Sequence, residues 1–591
     1  MQFTTIDWVI MAAFFVLSML IGLWSSKTSG KDFKSFFLAD QGMSWWLLGV
    51  SLVATTFSTD TPNLVTDLVR TNGAFGNWGW WAFLLTGMLT VFLYAKLWRR
   101  SGVLTDVEFY EIRYSGKQAA FLRGFRAAYL GLMFNVFIMA SVTLAAIKIG
   151  QIMMGWTPLQ TVLIAATITM LYAALGGLMG VLLTDLFQFV IAMVGSVLAA
   201  VYVVNLPQVG GLTKLLSHPN VIPKMDFLPN FSTMSWEQIL PIFFIPIAVQ
   251  WWASYYPGAE PGGGSYVVQR MLSAKDEKNA VTATLLFNAM HYALRPWPWI
   301  LVAFASLIVF PDVASIKTAF PNIDPQFLKN DIAYPAMLTF LPAGLIGMVV
   351  TSLAAAYMST MSSQVNYGSS ILVNDLYYRF IKPDASEKEL VRAGRIATVF
   401  LMVASCTLAL FLQNALQAFE MILLIGAGTG LIYLLRWFWW RINAMTEIVA
   451  MVVSFVMALG LKLSGVNLPE WENLALTVGV TTIAWMLTAL VTQPTNDDVL
   501  LSFYKKIKPG GPGWKAVAEK AAQEGFVVDS KENDFGTALL CALFGIFAIY
   551  GALFATGFFI YGNTTSFLVC AAISLLSIFG IRAFWGRLSF E

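Results

Sequence analysis

In AAAYMSTMSSQ, residues 354–364, Ser359, Thr360, Ser362 and Ser363 crowd four hydroxyls into little more than one helical turn of an apolar stretch. Serine and threonine in apolar helices commonly bond back to a carbonyl one turn earlier or let neighbouring helices approach closely. One or two hydroxyls need no other account. Four, spread over adjacent faces of one helix, also make a set of neutral oxygen donors of the kind hard cations bind. Sodium suits such a set, with at most one carboxylate and carbonyls borrowed from a broken helix nearby. A carboxylate is present in YAALGGLMGVLLTDLFQ (172–188), which carries Asp185 inside an apolar run. A charge there is costly unless it is paired or solvated. The plainer alternative puts Asp185 at the mouth of its span, in contact with water.

The elements that position these residues must be membrane helices. The chain has 591 residues, 58% hydrophobic and 12% charged, with a mean hydropathy of +0.69. So few charges cannot cover that much apolar surface in water, and a bilayer is the implied solvent. A net charge of +3 is too small to suggest a nucleic-acid partner, and three cysteines, all in apolar runs, argue against a disulfide framework. Many of the 21 Trp and 19 Tyr stand at segment ends, where amphipathic rings favour the headgroup level. The first span begins at about Thr5, with no basic leader or small-residue cleavage site, and is expected to be a retained helix rather than a signal peptide.

About fifteen spans of the ~20 residues a bilayer needs are expected: 5–24, 44–70, 77–98, 121–150, 157–178, 180–204, 236–256, 279–310, 336–378, 392–413, 416–441, 445–465, 473–492, 536–560 and 563–585. Two are interrupted. Span 44–70 contains STDTPNLVTD (58–67), and span 236–256 runs into YYPGAEPGGGSY (255–266) around Glu260. A bilayer tolerates unpaired backbone only where it lines a cavity or binds something. Each break opens a block of five spans, and matched breaks in two halves point to a transporter's midplane site. The expected organisation is an extra helix and loop (1–43), a first five-helix repeat (44–204), a second, inverted repeat (236–441), and an appendage (442–591) of about four helices with a hydrophilic loop at 493–535. Lys/Arg-rich loops after the first and third spans, and at 269–278, 378–395 and 505–515, fall on one side if the N-terminus is outside and the C-terminus inside. KKIKPGGPGWKAVAEKAAQEG (505–525) reads as a basic, partly helical inside loop, more simply a solvated connector than a regulatory dock.

The two quoted segments, extended to AAAYMSTMSSQVNYGSSILVNDLYYR, together with DFKSFFLADQGMSWWLLGVSLVATTFS (32–58) and VVQRMLSAKDEKNA (267–280), resemble the signature segments of the sodium:solute symporters. That family includes glucose, proline, pantothenate and sialic-acid carriers. The resemblance covers roughly 5–441, with four motifs in the family's order. It implies an all-α polytopic, leucine-transporter-like fold of five plus five inverted helices, and alternating access. It further implies a sodium site from the carbonyls of Ala54, Phe57 and Ala356 and the hydroxyls of Ser359 and Thr360. A possible second sodium site, as in sialic-acid carriers, uses residues matching Asp185, Ser359, Ser362 and Ser363. One or two sodium ions are therefore the expected coupling ions, with two favoured.

The solute is expected between the two breaks. Candidates are Asp60 and Thr61, then Asn77 and Trp80, then Gln250, Trp252 and Tyr255, and in NAMHYALRPWPW (288–299) His291 and Arg295. Counting from the shared Gln269–Arg270, His291 stands where galactose-transporting relatives have a sugar-binding lysine; the alternative is a satisfied packing histidine. Arg295 shares its helical face, and a buried guanidinium should pair with Asp60, Asp67, Glu260 or a solute carboxylate. The chain also departs from the family. A glutamate of sugar carriers corresponds to Trp80, a glutamine to Leu423, and the proline carrier's sodium-linked aspartate to Thr56. The expectation is a sodium-coupled importer of a small polar organic solute, a sugar or sugar derivative before an organic or amino acid, in the cell membrane. A proton-coupled transporter and a transporter-fold sensor of the same architecture are the alternatives. Oligomeric state is not legible. No H-E-x-x-H, Cys/His cluster or G-x-S-x-G elbow supports an enzyme.

Overall fold

The computed structural model describes residues 3–254, 258–321, 323, 328–412, 428–465, 468–529 and 532–590. These are helical almost throughout, and the only β feature among them is an isolated bridge between Met43 and Ala274. In chain order the helices that matter here are α1 (Thr5–Ser29), α2 (Trp45–Thr55), α3 (Asp60–Asn72), α4 (Ala74–Ser101), α5 (Gly116–Met154), α6 (Pro158–Val204), α7 (236–253), α8 (Ser265–Ser273), α9 (Glu277–Val309), α10 (Leu345–Ile381) and α11 (Glu387–Phe411). They continue as α12 (Gly430–Leu435), α13 (Ala444–Leu463), α14 (Glu470–Val491), α15 (Asp497–Ile507), α16 (Lys515–Gln523), α17 (Phe535–Ile560) and α18 (Thr564–Trp585).

Eleven helices among the described residues are long and apolar enough to cross a membrane. The fifteen expected spans reduce to that number for physical reasons. Both interrupted spans are split into shorter helices, and much of 416–441, including Leu423, lies outside the described residues. α6 counts once although it holds two expected spans. Straight, its 47 residues reach roughly 70 Å, twice the thickness of a bilayer's hydrocarbon core. Gly177, at φ 54°, divides it into the two segments that the sequence separates. A Cβ there would fall 2.6 Å from the Phe36 carbonyl oxygen, so only glycine fits this joint.

Both breaks appear. α2 stops at Thr55 and α3 starts at Asp60, so the first interruption is 56–59 and lies just before Pro62. Pro62 falls in the first turn of α3, where a missing N–H costs nothing. α7 winds through π-type turns at Leu240–Phe244 and Pro246–Gln250, with Pro241 and Pro246, which cannot donate to the ladder, at or next to their starts. It ends at Ala253, and helix resumes at Ser265.

α10 packs against α6 and α1, and α2 against α6 and α9, so the hydroxyl-bearing helix and the first break meet beside Asp185. α1 is tied in at its start: the Asp7 carboxylate accepts from the backbone N–H of Gly344 (2.7 Å) and Gly347 (2.9 Å), capping α10. The stretch 505–525, read as a solvated connector, is anchored to the fold at Trp514. Trp514 is buried, donates from Nε1 to the Trp437 carbonyl (2.7 Å) and stacks on Phe503.

Candidate functional site

The break at 56–59 leaves the last carbonyls of α2 facing α10. Thr360 Oγ1 donates to the Thr55 carbonyl at 2.8 Å and lies 3.2 Å from its own Ala356 carbonyl. Thr55 Oγ1 lies 2.8 Å from Ser363 Oγ. Two of the four hydroxyls on α10 thus lock onto the broken end of α2, and one back-bonds within the helix, Ser362 to the Ser359 carbonyl at 3.1 Å. Ser359 turns the other way and donates to Asp185 Oδ1 at 2.6 Å. Each hydroxyl keeps lone pairs after donating its proton. The oxygens expected to hold sodium, at Ala54, Phe57, Ala356, Ser359 and Thr360, are neutral donors of a kind that suits a monovalent hard cation, but Ser359 here is turned to Asp185.

Asp185 is fully buried, and so is Arg270, which was expected in a positive loop at 269–278 but lies inside α8. Asp185 Oδ2 accepts from Ser51 at 2.5 Å and lies 3.7 Å from the Arg270 guanidinium. Arg270 also donates to Ser363 at 2.5 Å, to Ser51 at 3.3 Å and to Gln269 Oε1 at 3.0 Å. Of the group expected to hold a second ion, Asp185 and Ser363 meet this guanidinium, Ser359 bonds to the other oxygen of Asp185, and Ser362 bonds within its own helix. The signal that could have pointed to Arg270 is the cost of Asp185 itself, because a carboxylate buried in a bilayer calls for a fixed cation.

A cavity of about 260 Å³ lies between the two breaks. Asp60, Thr61, Trp80, His291 and Arg295 line it, together with Thr56, Tyr266, Tyr292, Thr360 and Gln364, which the sequence reading did not place there as solute candidates. Trp80 stacks on Tyr292 (centroids 5.7 Å apart) and meets His291 edge-on (5.5 Å). Asp60 Oδ1 is buried with no hydrogen-bond partner among the described residues. At the end nearest loop 311–335, Lys148 and Asp331 pair at 3.1 Å.

The remaining candidates sit elsewhere. Asn77 lies one layer back, accepting from Trp80 Nε1 at 2.9 Å and so fixing that ring. Gln250 donates to the Gly79 carbonyl (2.9 Å) and Trp252 to its own helix at Ala248 (2.7 Å), and neither lines the cavity. Tyr255 lies outside the described residues. Arg295, expected to pair with a carboxylate, is bonded to the end of α2 and to its own helix. It donates to the Val53 carbonyl (3.1 Å) and Thr56 Oγ1 (3.0 Å), and its Nη2 lies 2.7 Å from His291 Nδ1. Glu260 is buried and held locally by the Ser265 hydroxyl (2.7 Å) and the Gly258 N–H (3.1 Å).

On the face away from loop 311–335 the helices are tied together. Asp106 accepts from the Ser265 N–H (2.9 Å) and Tyr367 (3.0 Å), Asp375 takes Arg123 (2.6 Å) and Thr105 (2.6 Å), and Arg113 donates to the Arg436 carbonyl (2.8 Å). These buried bonds join several elements across that face.

Comparison with known proteins gives a consistent picture. The family model described as the sodium:solute symporter family matches residues 36–454. A sodium/glucose cotransporter of Vibrio parahaemolyticus is 27% identical over 510 residues, covering 83% of this chain and 92% of the relative. A sodium/myo-inositol cotransporter 2 of Mus musculus is 28% identical, covering 77% of this chain and 69% of the relative. Among solved structures, a Na+-coupled sialic acid symporter in a substrate-bound, outward-open state with a novel Na+ site superposes with a TM-score of 0.68 at 20% identity, over 84% of this chain and all of that one. At that identity the likeness speaks for the fold, which is the leucine-transporter-like arrangement of helices.

Proposed function

The chain belongs to the sodium:solute symporter family, and from that premise we propose that it imports a small polar organic solute, a sugar or sugar derivative before an organic or amino acid, by alternating access. As a family member it is a transporter and not an enzyme, and its transport is sodium-coupled. The observation that carries the finer reading is the 2.8 Å bond from Thr360 to the Thr55 carbonyl, which sets the hydroxyl helix against the broken end of α2.

The sodium site is assigned to the carbonyls of Ala54, Phe57 and Ala356 and the hydroxyls of Ser359 and Thr360. An ion there bridges α2 and α10, which lie in the two five-helix repeats, 44–204 and 236–441, of our proposed division. Bridging favours the state in which the cavity faces outward, with the N-terminus outside and the C-terminus inside. A second ion at Asp185, Ser359, Ser362 and Ser363 shares its carboxylate with Arg270, so it binds by displacing the guanidinium from Ser363. The solute is assigned to the cavity at Asp60, Thr61, Trp80, His291 and Arg295. Asp60 offers an acceptor oxygen with no hydrogen-bond partner among the described residues, and the Trp80–Tyr292 pair offers an apolar wall, a combination that suits a hydroxyl-rich ring. Binding of both shifts the population towards the occluded state, and the membrane potential adds ~2.3 kcal/mol per charge per 100 mV. The coupling is reciprocal, so the solute must raise sodium affinity by the factor by which sodium raises its own.

The test is thermal stability of the purified full chain in sodium against potassium, with a library of sugars, polyols and organic acids, repeated for Ser359→Ala. The reading requires sodium-specific stabilisation that the variant weakens, and one solute class that adds a further, sodium-dependent shift. Identical melting in both salts defeats it, and favours the proton-coupled or sensor alternatives.

A further inference from the structure

Buried Arg295 and half-buried Thr56 and His291 form a hydrogen-bonded triad beside the cavity. Thr56 is the first residue beyond α2, and His291 and Arg295 stand one turn apart on α9. Arginine has five donors and no acceptor. With Arg295 Nη2 2.7 Å from His291 Nδ1, that nitrogen must be the acceptor, which leaves the ring proton on Nε2. Arg295 Nη1 then reaches the Val53 carbonyl and Thr56 Oγ1. Thr56 Oγ1 in turn lies 3.0 Å from the same Val53 carbonyl and 3.1 Å from His291 Nδ1. The guanidinium sits over the rings of Phe57 (5.8 Å) and Trp299 (5.4 Å). The backbone is shaped for this contact: Met290–Leu294 is a π-type turn, and the Arg295 N–H bonds five residues back to Met290. Such turns are rare, cost geometry, and often occur at functional sites.

Val53 and Ala54 belong to the last turn of α2, and Phe57 follows in the break; the Ala54 and Phe57 carbonyls are the ones assigned to sodium. A helix that ends in mid-membrane needs its terminal carbonyls satisfied and its negative dipole end balanced. Arg295 does both from α9, on the side of the turn facing the solute cavity. We propose that Arg295, held by His291 and Thr56, is a positioning residue for the sodium site: it caps the broken end of α2 and so fixes the two sodium-binding carbonyls, while His291 joins that cap to the wall of the cavity. The proposal rests on the sodium reading given above.

Because sodium itself is the probe, the test needs no identified solute. The sodium concentration giving half-maximal stabilisation is measured by thermal shift on the full chain in detergent, with potassium as control, for wild type, Arg295→Gln, Arg295→Lys, Thr56→Val and His291→Phe. Arg295→Gln is expected to raise the half-maximal sodium concentration about tenfold, and Arg295→Lys to recover part of that by restoring the charge. Thr56→Val keeps the side chain's shape, and His291→Phe keeps a ring but removes the acceptor. Each is expected to weaken sodium binding about threefold or more while leaving the melting temperature in potassium near wild type. Should Arg295→Gln fail to fold, those two variants decide. Wild-type sodium dependence in Thr56→Val and His291→Phe overturns the proposal, as does a loss of stability that is equal in both salts. A wild-type protein that melts identically in sodium and potassium instead defeats the sodium reading, and the proposal with it.

Discussion

Arg270 holds its guanidinium 3.7 Å from the Asp185 carboxylate, with both side chains fully buried and Ser51 hydrogen-bonded to each. Removing one member of such a pair strands the other charge, and that costs ~3–5 kcal/mol. Asp185→Asn and Arg270→Met are each expected to lower the melting temperature sharply. The double variant should lose clearly less than the sum, because no stranded charge remains. Additive losses in this cycle mean that the two groups do not act as a pair.

Asp7 couples the first helix to the helix that carries the hydroxyls. Asp7→Ala removes the acceptor for two backbone N–H groups at the start of α10, a capping loss of ~1–2 kcal/mol. Gly347→Ala should be worse, since a Cβ there would lie 2.5 Å from the Asp7 Cα. Both should lower stability equally in sodium and in potassium. A change confined to sodium would place Asp7 in the ion site instead.

Trp514 makes the hydrophilic loop part of the folded unit. Its indole is buried, bonds to Trp437 and lies under the Arg113 guanidinium at 5.0 Å. Trp514→Ala is expected to cost ~3–5 kcal/mol, the usual range for truncating a buried aromatic side chain. An unchanged melting temperature would return residues 493–535 to the status of a connector.

Glu111, between α4 and α5, supplies a pH dependence. Burial alone would raise its pKa, but hydrogen bonds from Arg379 and Arg123 outweigh that and hold it below the ordinary glutamate value. A carboxyl lowered in the folded state contributes stability above its unfolded pKa, and that contribution is lost as pH falls through the folded value. Glu111→Gln should therefore narrow the gap in melting temperature between neutral and acidic buffer. An unaltered gap removes Glu111 from the acid response.

Much of the architecture was legible because a bilayer imposes simple rules on a chain. Apolar runs of spanning length had to be helices, and prolines and glycines inside two of them had to mark interruptions. Asp185, Ser359, Thr360 and Ser363 were legible as a polar group for the same reason, since oxygen in an apolar helix stands out against its neighbours. The join within α6 was legible as well, because Gly176–Gly177 separates two runs that could not cross together.

Partners were less legible, because a side chain's contact across more than two hundred residues leaves no local trace. Nothing near Arg270 says that it meets Ser51, 219 positions away, or that Arg295 donates to the Val53 carbonyl. Asn77 and Gln250 are polar and close to the breaks in sequence, yet the fold spends them on Trp80 and Gly79. Trp514 reads as an aromatic in a basic, glycine-rich loop, and only docking against α12's end buries it. Sequence by itself determined the solvent, the helical class, the two breaks and the residues too polar for their surroundings. Tertiary structure alone decided which of those residues face each other, because burying a charge or a helix end in a bilayer requires a partner but does not say which one.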